Sequence, residues 1–321
     1  MRQDNDITPV INGTSSLQTE GQGCSVSWKV AMDTYLAQKD VRPSSRKAYR
    51  KALLQFFEWV EATGRTLSSL TAEDIINFRE DLLANNRSSL TTAMYIVSIR
   101  GFYEWAEAQK LYPNIARSVK ASHDKGIVKM HLTEKQASDL LAFEQQKSPR
   151  NYAMINLMLR TGLRTAEVSA IDIEDIRFLN GTRILWVKGK GHDDKKDFVV
   201  LTDAAYGPIK DYLDANGRVS GPLFVCEGSN SRGRRLSTRS VQLICKWGLR
   251  QIGLDDHLYS AHSLRHTTGV QILKNGGTMF DVQDVLRHSS PETSQIYVES
   301  IKEERRLENP SETLLDKSFN I

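Results

Sequence analysis

Tyr297 stands at the end of Ser290-Pro291-Glu292-Thr293-Ser294-Gln295-Ile296-Tyr297. Ser290 can cap a helix and Pro291 suits its first position, so the phenol sits about two turns into a short helix. Alone, such a tyrosine reads as a half-buried helix residue. Its neighbours say more. His288 lies just before the same helix, in Leu286-Arg287-His288-Ser289. Upstream, His262 and Arg265 in Ala261-His262-Ser263-Leu264-Arg265-His266 are three apart and share a helical face. Arg164 and Glu167 repeat that spacing in Thr161-Gly162-Leu163-Arg164-Thr165-Ala166-Glu167, which alone reads as a surface ion pair. Together these side-chain types suit attack on a phosphodiester by a phenol. The pentacoordinate phosphorus carries extra negative charge on its non-bridging oxygens, and paired guanidinium donors match it better than ammonium groups. One further group must protonate the departing 5′ oxygen and another must help the phenol lose its proton, tasks within reach of lysine and histidine. Two arginines, two histidines and a lysine around one tyrosine would be a metal-free solution, and no Asp/Glu/His cluster at metal-ligand spacing appears.

Two domains are expected to position these groups, because 321 residues exceed one ordinary core. Residues 1–24 are polar and read as a flexible leader. Residues 25–117 read as all-helical. Trp28, Ala31, Met32, Tyr35 and Leu36 recur at helical spacing; a second helix follows Pro43 with Gly64 placed to stop it. Thr71 to Asp74 looks like a capped helix start, and Ser89 opens a fourth stretch ending at Pro113. Residues 118–131 form a basic linker with Lys120, Lys125, Gly126 and Lys129. From the capping box at Thr133, helices are expected at about 133–145, 149–160, 203–215, 237–252, 263–274, 278–286 and 291–305. Between them, Arg183–Val187 and Phe198–Leu201 read as a short hairpin around a Gly/Lys/Asp turn. The fold class is therefore mainly α with a small β-hairpin or sheet: an all-helical domain, then a mixed, mostly helical domain over 132–305. A tail, 306–321, carries Leu314 and Leu315, which could pack on another subunit.

Composition narrows the function classes. Apolar residues make up 40%, and no apolar run approaches the ~20 residues of a membrane helix. The first 22 residues include Asp4, Asp6 and Glu20 and lack a signal-peptide pattern, so a cytoplasmic protein is expected. Cys24, Cys226 and Cys245 are scattered and support neither a disulfide framework nor a zinc site. The net charge of +4 says little, but its placement says more. Arg42, Arg46, Lys47, Arg50 and Lys51 cluster near one helix start, and Arg232, Arg234, Arg235 and Arg239 form a second group. Such clusters are solvated faces in most proteins and nucleic-acid footprints in some.

Four motifs in order resemble the tyrosine recombinases, the lambda-integrase family. TGLRTAEV at 161–168 resembles the first arginine box, and Val187-Lys188-Gly189-Lys190-Gly191 resembles the lysine turn. HSLRH at 262–266 resembles the H-x-x-R box, and LRHSSPETSQIY at 286–297 resembles the final His-to-Tyr segment. The agreement spans about residues 133–300, with 26–117 similar to the family's core-binding domain. Any one motif is weak; four in sequence are specific. The resemblance implies that Tyr297 is the nucleophile, forming a 3′-phosphotyrosine, and that Arg164 and Arg265 clamp the scissile phosphate. Lys190 becomes the general acid, with Lys188 the alternative occupant of that role. His262 assists proton transfer, His288 donates to a phosphate oxygen, and Glu167 orients the site. His266 is expected to be structural. Arg287 departs from the family's usual glycine; it could alter the local backbone or add a phosphate contact, but it removes no required group.

The resemblance also implies double-stranded DNA with an inverted-repeat core site as partner, enclosed by two domains joined through the linker. A homo-tetramer on paired sites would act through a Holliday junction without cofactor, metal or ATP, with room for an accessory DNA-bending protein and a nucleoid-associated location. Leu236-Ser237-Thr238-Arg239 resembles a helix opening whose arginine reads a base edge, which makes Arg239 the base-contact candidate beside the alternative of a phosphate contact. Arg46, Lys47, Arg50 and Arg100 are candidate contacts on the helical domain, chiefly to the DNA backbone. The setting reads as a mobile-element integrase, with dimer resolution as the alternative. Two rival functions share parts of this pattern: a type IB topoisomerase, which needs no second DNA, and a non-catalytic regulator, which needs no nucleophile.

Overall fold

Capping chemistry sets most helix starts where the sequence puts them. The computed structural model describes residues 27–121, 130–189, 194–287, 297–298, 301–302, 306, 310 and 313. The chain divides into two compact units, residues 1–126 and 127–321.

In the first unit, α1 (Trp28–Gln38), α2 (Pro43–Ala62), α3 (Ala72–Ala84) and α4 (Ser89–Ala108) pack around one core. Pro43 occupies the first turn of α2, and Gly64 just beyond its end takes φ +69°. The Thr71 amide donates to Asp74 Oδ2 at 2.9 Å, and Ser88 Oγ accepts from the Thr91 amide at 3.2 Å, so orphan amides at both helix starts are satisfied. The core is aromatic: Phe56, Phe57, Phe78 and Phe102 are fully buried, with Phe56 edge-on to Phe78 at 5.2 Å. Each such ring contributes roughly 1.5–3 kcal/mol by burial.

The second unit contains α5 (Glu134–Lys147), α6 (Pro149–Thr161), α7 (Thr165–Ala170), α8 (Asp203–Asn216), α9 (Thr238–Gln251), α10 (Ala261–Lys274) and α11 (Met279–Leu286). Residues 297–298 and 301–302 are helical again. Helix α6 is central, touching α5, α8 and α10. Two elements escaped the sequence reading. One is α7, which begins at the first arginine box. The other is a third strand: β1 (Ile176–Leu179), β2 (Thr182–Val187) and β3 (Asp197–Val200) form one antiparallel sheet in that order. Asn180 and Gly181 both take positive φ, 48° and 79°, as a tight two-residue hairpin turn requires. Leaving the lysine turn, Lys195 bridges Asp172 and Asp175 and ties the start of β3 to the segment before β1.

Among the described residues no helix is long and apolar enough to cross a membrane. The leader, Lys125, Gly126 and Lys129 of the linker, and Leu314 and Leu315 of the tail lie outside the described residues.

Candidate active site

Helix α6 ends at Gly162, which takes φ +59° and leaves no space for a side chain: a Cβ there would lie 2.2 Å from Leu286 Cδ2. This sharp stop delivers Arg164 to the N-cap of α7. There the Arg164 amide donates to Glu167 Oε2 at 2.8 Å, and its guanidinium pairs with Oε1 at 2.7 Å. Glu167 is buried, so this is no surface ion pair.

Helix α10 turns His262 and Arg265 to the same cleft, as their spacing predicts, but at different depths. His262, in its first turn, is exposed, whereas Arg265 is 2% exposed. Arg265 donates one terminal nitrogen to the Gly162 carbonyl and the other to the Leu286 carbonyl. It thereby links the end of α6 to the end of α11. Burial and the neighbouring Arg164 charge lower its pKa to about 10, so it stays protonated at neutral pH.

Tyr297 is 3% exposed and packs in a small apolar cluster with Val270, Leu273, Val282, Leu286 and Ile301. Its ring lies on the α10 backbone at Gly269, where a Cβ would come within 2.8 Å of ring carbons. The His266 ring flanks it at 4.8 Å. Burial raises the phenol's pKa, while the charges of Arg265 and Arg164 and a hydrogen bond with Arg265 oppose that rise. His266 is itself buried and desolvated, its pKa pushed down to about 4, so it is neutral packing rather than a charged group.

A cleft of about 650 Å³ opens beside this cluster, lined by Arg164, Arg239, Lys246, His257, His262 and Arg265 among others. Arg239 is exposed in the first turn of α9, whose Ser237 cap accepts from the Ser240 amide at 3.0 Å. Lys246, Arg250, His257 and Tyr259 also face the cleft and were missed from the sequence. Four residues apart on α9, Lys246 and Arg250 repeat the helical offset that links Arg239 to its neighbours, and that was the available signal. A cleft with this charge can hold a polyanion and present one of its phosphates to two guanidiniums.

The structure therefore brings together Arg164, Glu167, His262, Arg265 and Tyr297, with Arg239 in the same cleft. Lys190 and His288 lie outside the described residues; Lys188, just after β2, is exposed. In the first unit, Lys47 and Arg50 line one shallow basic depression with Lys51, and Arg50 pairs with Asp33 at 2.7 Å. Arg46 turns back onto the Lys39 carbonyl at 3.2 Å, and Arg100 is exposed on α4. Arg287 has neither a glycine's freedom nor a solvent-facing side chain: it takes φ +53° and donates to Glu167 Oε2 at 2.9 Å.

The profile of the Phage integrase family matches residues 130–304, and that of the phage integrase N-terminal SAM-like domain matches residues 32–110. A tyrosine recombinase XerC of Corynebacterium glutamicum is 31% identical, over 71% of this chain and 76% of its own length. A tyrosine recombinase XerC of Pelobacter propionicus is 30% identical, over 81% and 86%. In fold, the chain is similar to the XerH site-specific recombinase bound to palindromic difH substrate in a post-cleavage complex, with a TM-score of 0.68, 21% identity, and coverage of 81% of this chain and 78% of that one. The chain belongs to the phage integrase family, and it is a tyrosine recombinase, an enzyme that cleaves and rejoins DNA.

Proposed function

We propose that Tyr297 attacks the scissile phosphorus of a specific double-stranded DNA site, forming a 3′-phosphotyrosine and releasing a 5′-hydroxyl. Arg164 and Arg265 hold the non-bridging oxygens as negative charge grows on them. The phenolic proton leaves as the phosphorus–oxygen bond forms, with His262 assisting; Lys190 delivers a proton to the departing 5′ oxygen, and His288 donates to a phosphate oxygen. The same steps in reverse let an exchanged 5′-hydroxyl displace the tyrosine, so strand energy is conserved and no ATP is needed. Side chains supply the positive charge, so the scheme asks for no metal. Glu167 orients Arg164. The observation that carries this reading is the burial of the Tyr297 ring against α10 within reach of two guanidinium charges, one of them hydrogen-bonded to it.

In this proposal residues 25–117 form the core-binding domain, with Arg46, Lys47, Arg50 and Arg100 on DNA phosphates, and 118–131 link them to the catalytic domain at 132–305. Arg239 reads a base edge. Four protomers assemble on two inverted-repeat sites in the nucleoid and exchange strands in two rounds through a Holliday junction, with the 306–321 tail docking on a neighbouring subunit. XerH is described as bound to palindromic difH substrate, which favours an inverted-repeat site over a single duplex contact. The test is a suicide DNA substrate that traps the covalent adduct. Tyr297→Phe should bind the site yet form no adduct stable to a denaturing gel, and an undiminished adduct would remove Tyr297 from the nucleophile's role.

A further inference from the structure

Arg287 is the residue that the chemistry above leaves unused. It caps the C-terminus of α11 in the left-handed region, φ 53° and ψ 53°, where a side chain with a Cβ costs on the order of 1 kcal/mol or more. A glycine would carry no such cost, so the arginine is held there by something stronger. Its side chain is 9% exposed. One terminal nitrogen donates to Glu167 Oε2 at 2.9 Å and the other to the Val285 carbonyl at 2.7 Å. Glu167, 3% exposed, accepts at the same time from the Arg164 guanidinium at 2.7 Å. One buried carboxylate therefore lies between two guanidiniums, one from its own helix start and the other 120 positions further along the chain.

The charge count explains the arrangement. Arg164 and the buried Glu167 alone form a neutral pair, and a neutral pair has little attraction for a phosphate. With Arg287 added, the triad carries a net positive charge in a poorly solvated setting, where charge acts most strongly. The second grip on α11 matters too. Arg265 holds the Leu286 carbonyl and Arg287 holds the one before it, so the end of α11 is fixed by two guanidiniums.

We infer that Arg287 is a positioning residue for strand cleavage: it shares Glu167 with Arg164, so that the Arg164 guanidinium keeps both its place and an uncompensated charge for the scissile phosphate. This rests on the phosphotyrosine chemistry proposed above. It makes Arg287 an internal partner of the catalytic arginine, not a DNA contact.

The experiment is single-turnover cleavage of the suicide substrate by full-length protein, with DNA affinity measured separately. Arg287→Gly relieves the left-handed backbone and is expected to fold; Arg287→Asn, whose side chain also tolerates that region, serves if melting shows otherwise. Either variant should cleave about 10–30-fold more slowly at saturating DNA, with Kd within about twofold of the unaltered protein, and Arg287→Lys should recover part of the rate. Glu167→Gln should itself slow cleavage, and adding Arg287→Gly to it should cost less than about twofold more, because both act through one carboxylate. A wild-type cleavage rate in Arg287→Gly, weakened DNA affinity in place of slowed chemistry, or full additivity with Glu167→Gln would each overturn the inference. If the unaltered protein forms no covalent adduct, it is the phosphotyrosine reading that fails.

Discussion

The two cores of this chain are built on different principles. In the first unit, stacked and edge-on aromatic rings fill the centre, the buried polar groups are uncharged ones such as Thr92, Ser98 and the Tyr35 and Tyr103 hydroxyls, and carboxylates act at the rim, where Trp28 and Trp59 donate to Glu61 and Asp81 at 2.6 Å. In the second, aliphatic side chains surround buried polar ones: Glu144, Asn156, Glu167, Arg265, His266, Thr267 and Thr268 are all inside. Burying polar groups is costly unless each finds a partner. The second unit satisfies many of them with backbone: Thr267 donates to the Ser263 carbonyl at 2.8 Å, and Thr268 to the Leu159 carbonyl at 2.8 Å. The first unit shows a rigid shape. The second also holds charge out of water.

The strongest way to break this contrast is to exchange one residue from each core. Arg265→Ala should cut adduct formation by at least ~10²–10³-fold, the scale of losing a preorganised oxyanion donor, and leaves two buried carbonyls without donors. Phe56→Ala should instead cost ~3–5 kcal/mol of stability in the first unit alone. Hydrogen exchange read separately over residues 27–121 and 130–287 would show it, and loosening of both units together would refute the division.

Gly269→Ala sharpens the point within the second core. The added methyl would press on the Tyr297 ring, and a ~10–100-fold slower cleavage at unchanged DNA affinity is expected. A wild-type rate would mean that the ring does not sit there during the reaction.

Glu144 is an exception within that core, because neither of its carboxylate oxygens has a hydrogen-bond partner. Burial raises its pKa, and Asn151 and Arg150 offset this only in part. The folded state therefore holds the proton to higher pH than the unfolded chain. Its contribution to stability is fully present below the ordinary glutamate value near ~4.3 and is lost as pH rises through the raised one. Glu144→Gln keeps a neutral side chain at every pH. It should melt ~2–4 °C above the unaltered protein at pH 8 and with it near pH 4. An equal gain at both pH values would contradict the burial argument.

The smallest effect is expected in the first unit. Lys47→Ala should weaken DNA binding evenly across sequences and reduce the salt dependence by about one counterion, as fluorescence titration at several salt concentrations would show. A change of preferred sequence would make Lys47 a reader of bases.

Every α-helix but α7 was legible among the described residues because the signals are local: Pro43, Thr71 with Asp74, and Thr133 with Gln136 stand at the starts of the elements they announce. Arg164, Glu167, Arg265 and Tyr297, which the structure brings together, were legible as types and spacings. What the sequence hid was environment. Nothing in HSLRH separates an exposed His262 from an Arg265 fastened to two carbonyls 103 and 21 positions away. Glu167 looked like a local partner of Arg164, and its second partner sits 120 positions along the chain. Strand β1 was missed although Asn180-Gly181 is a strong hairpin signal, because Arg177 and the exposed Phe178 and Leu179 break an inside–outside alternation.

Helix α10 is dry through its middle: from Ser263 to Val270 every residue is buried. Segments with so little water at their backbone open last. On heating, the contacts of Arg265 to the Gly162 and Leu286 carbonyls should therefore be among the last to open, and the packing around the Tyr297 ring should outlast the exposed surfaces of the unit.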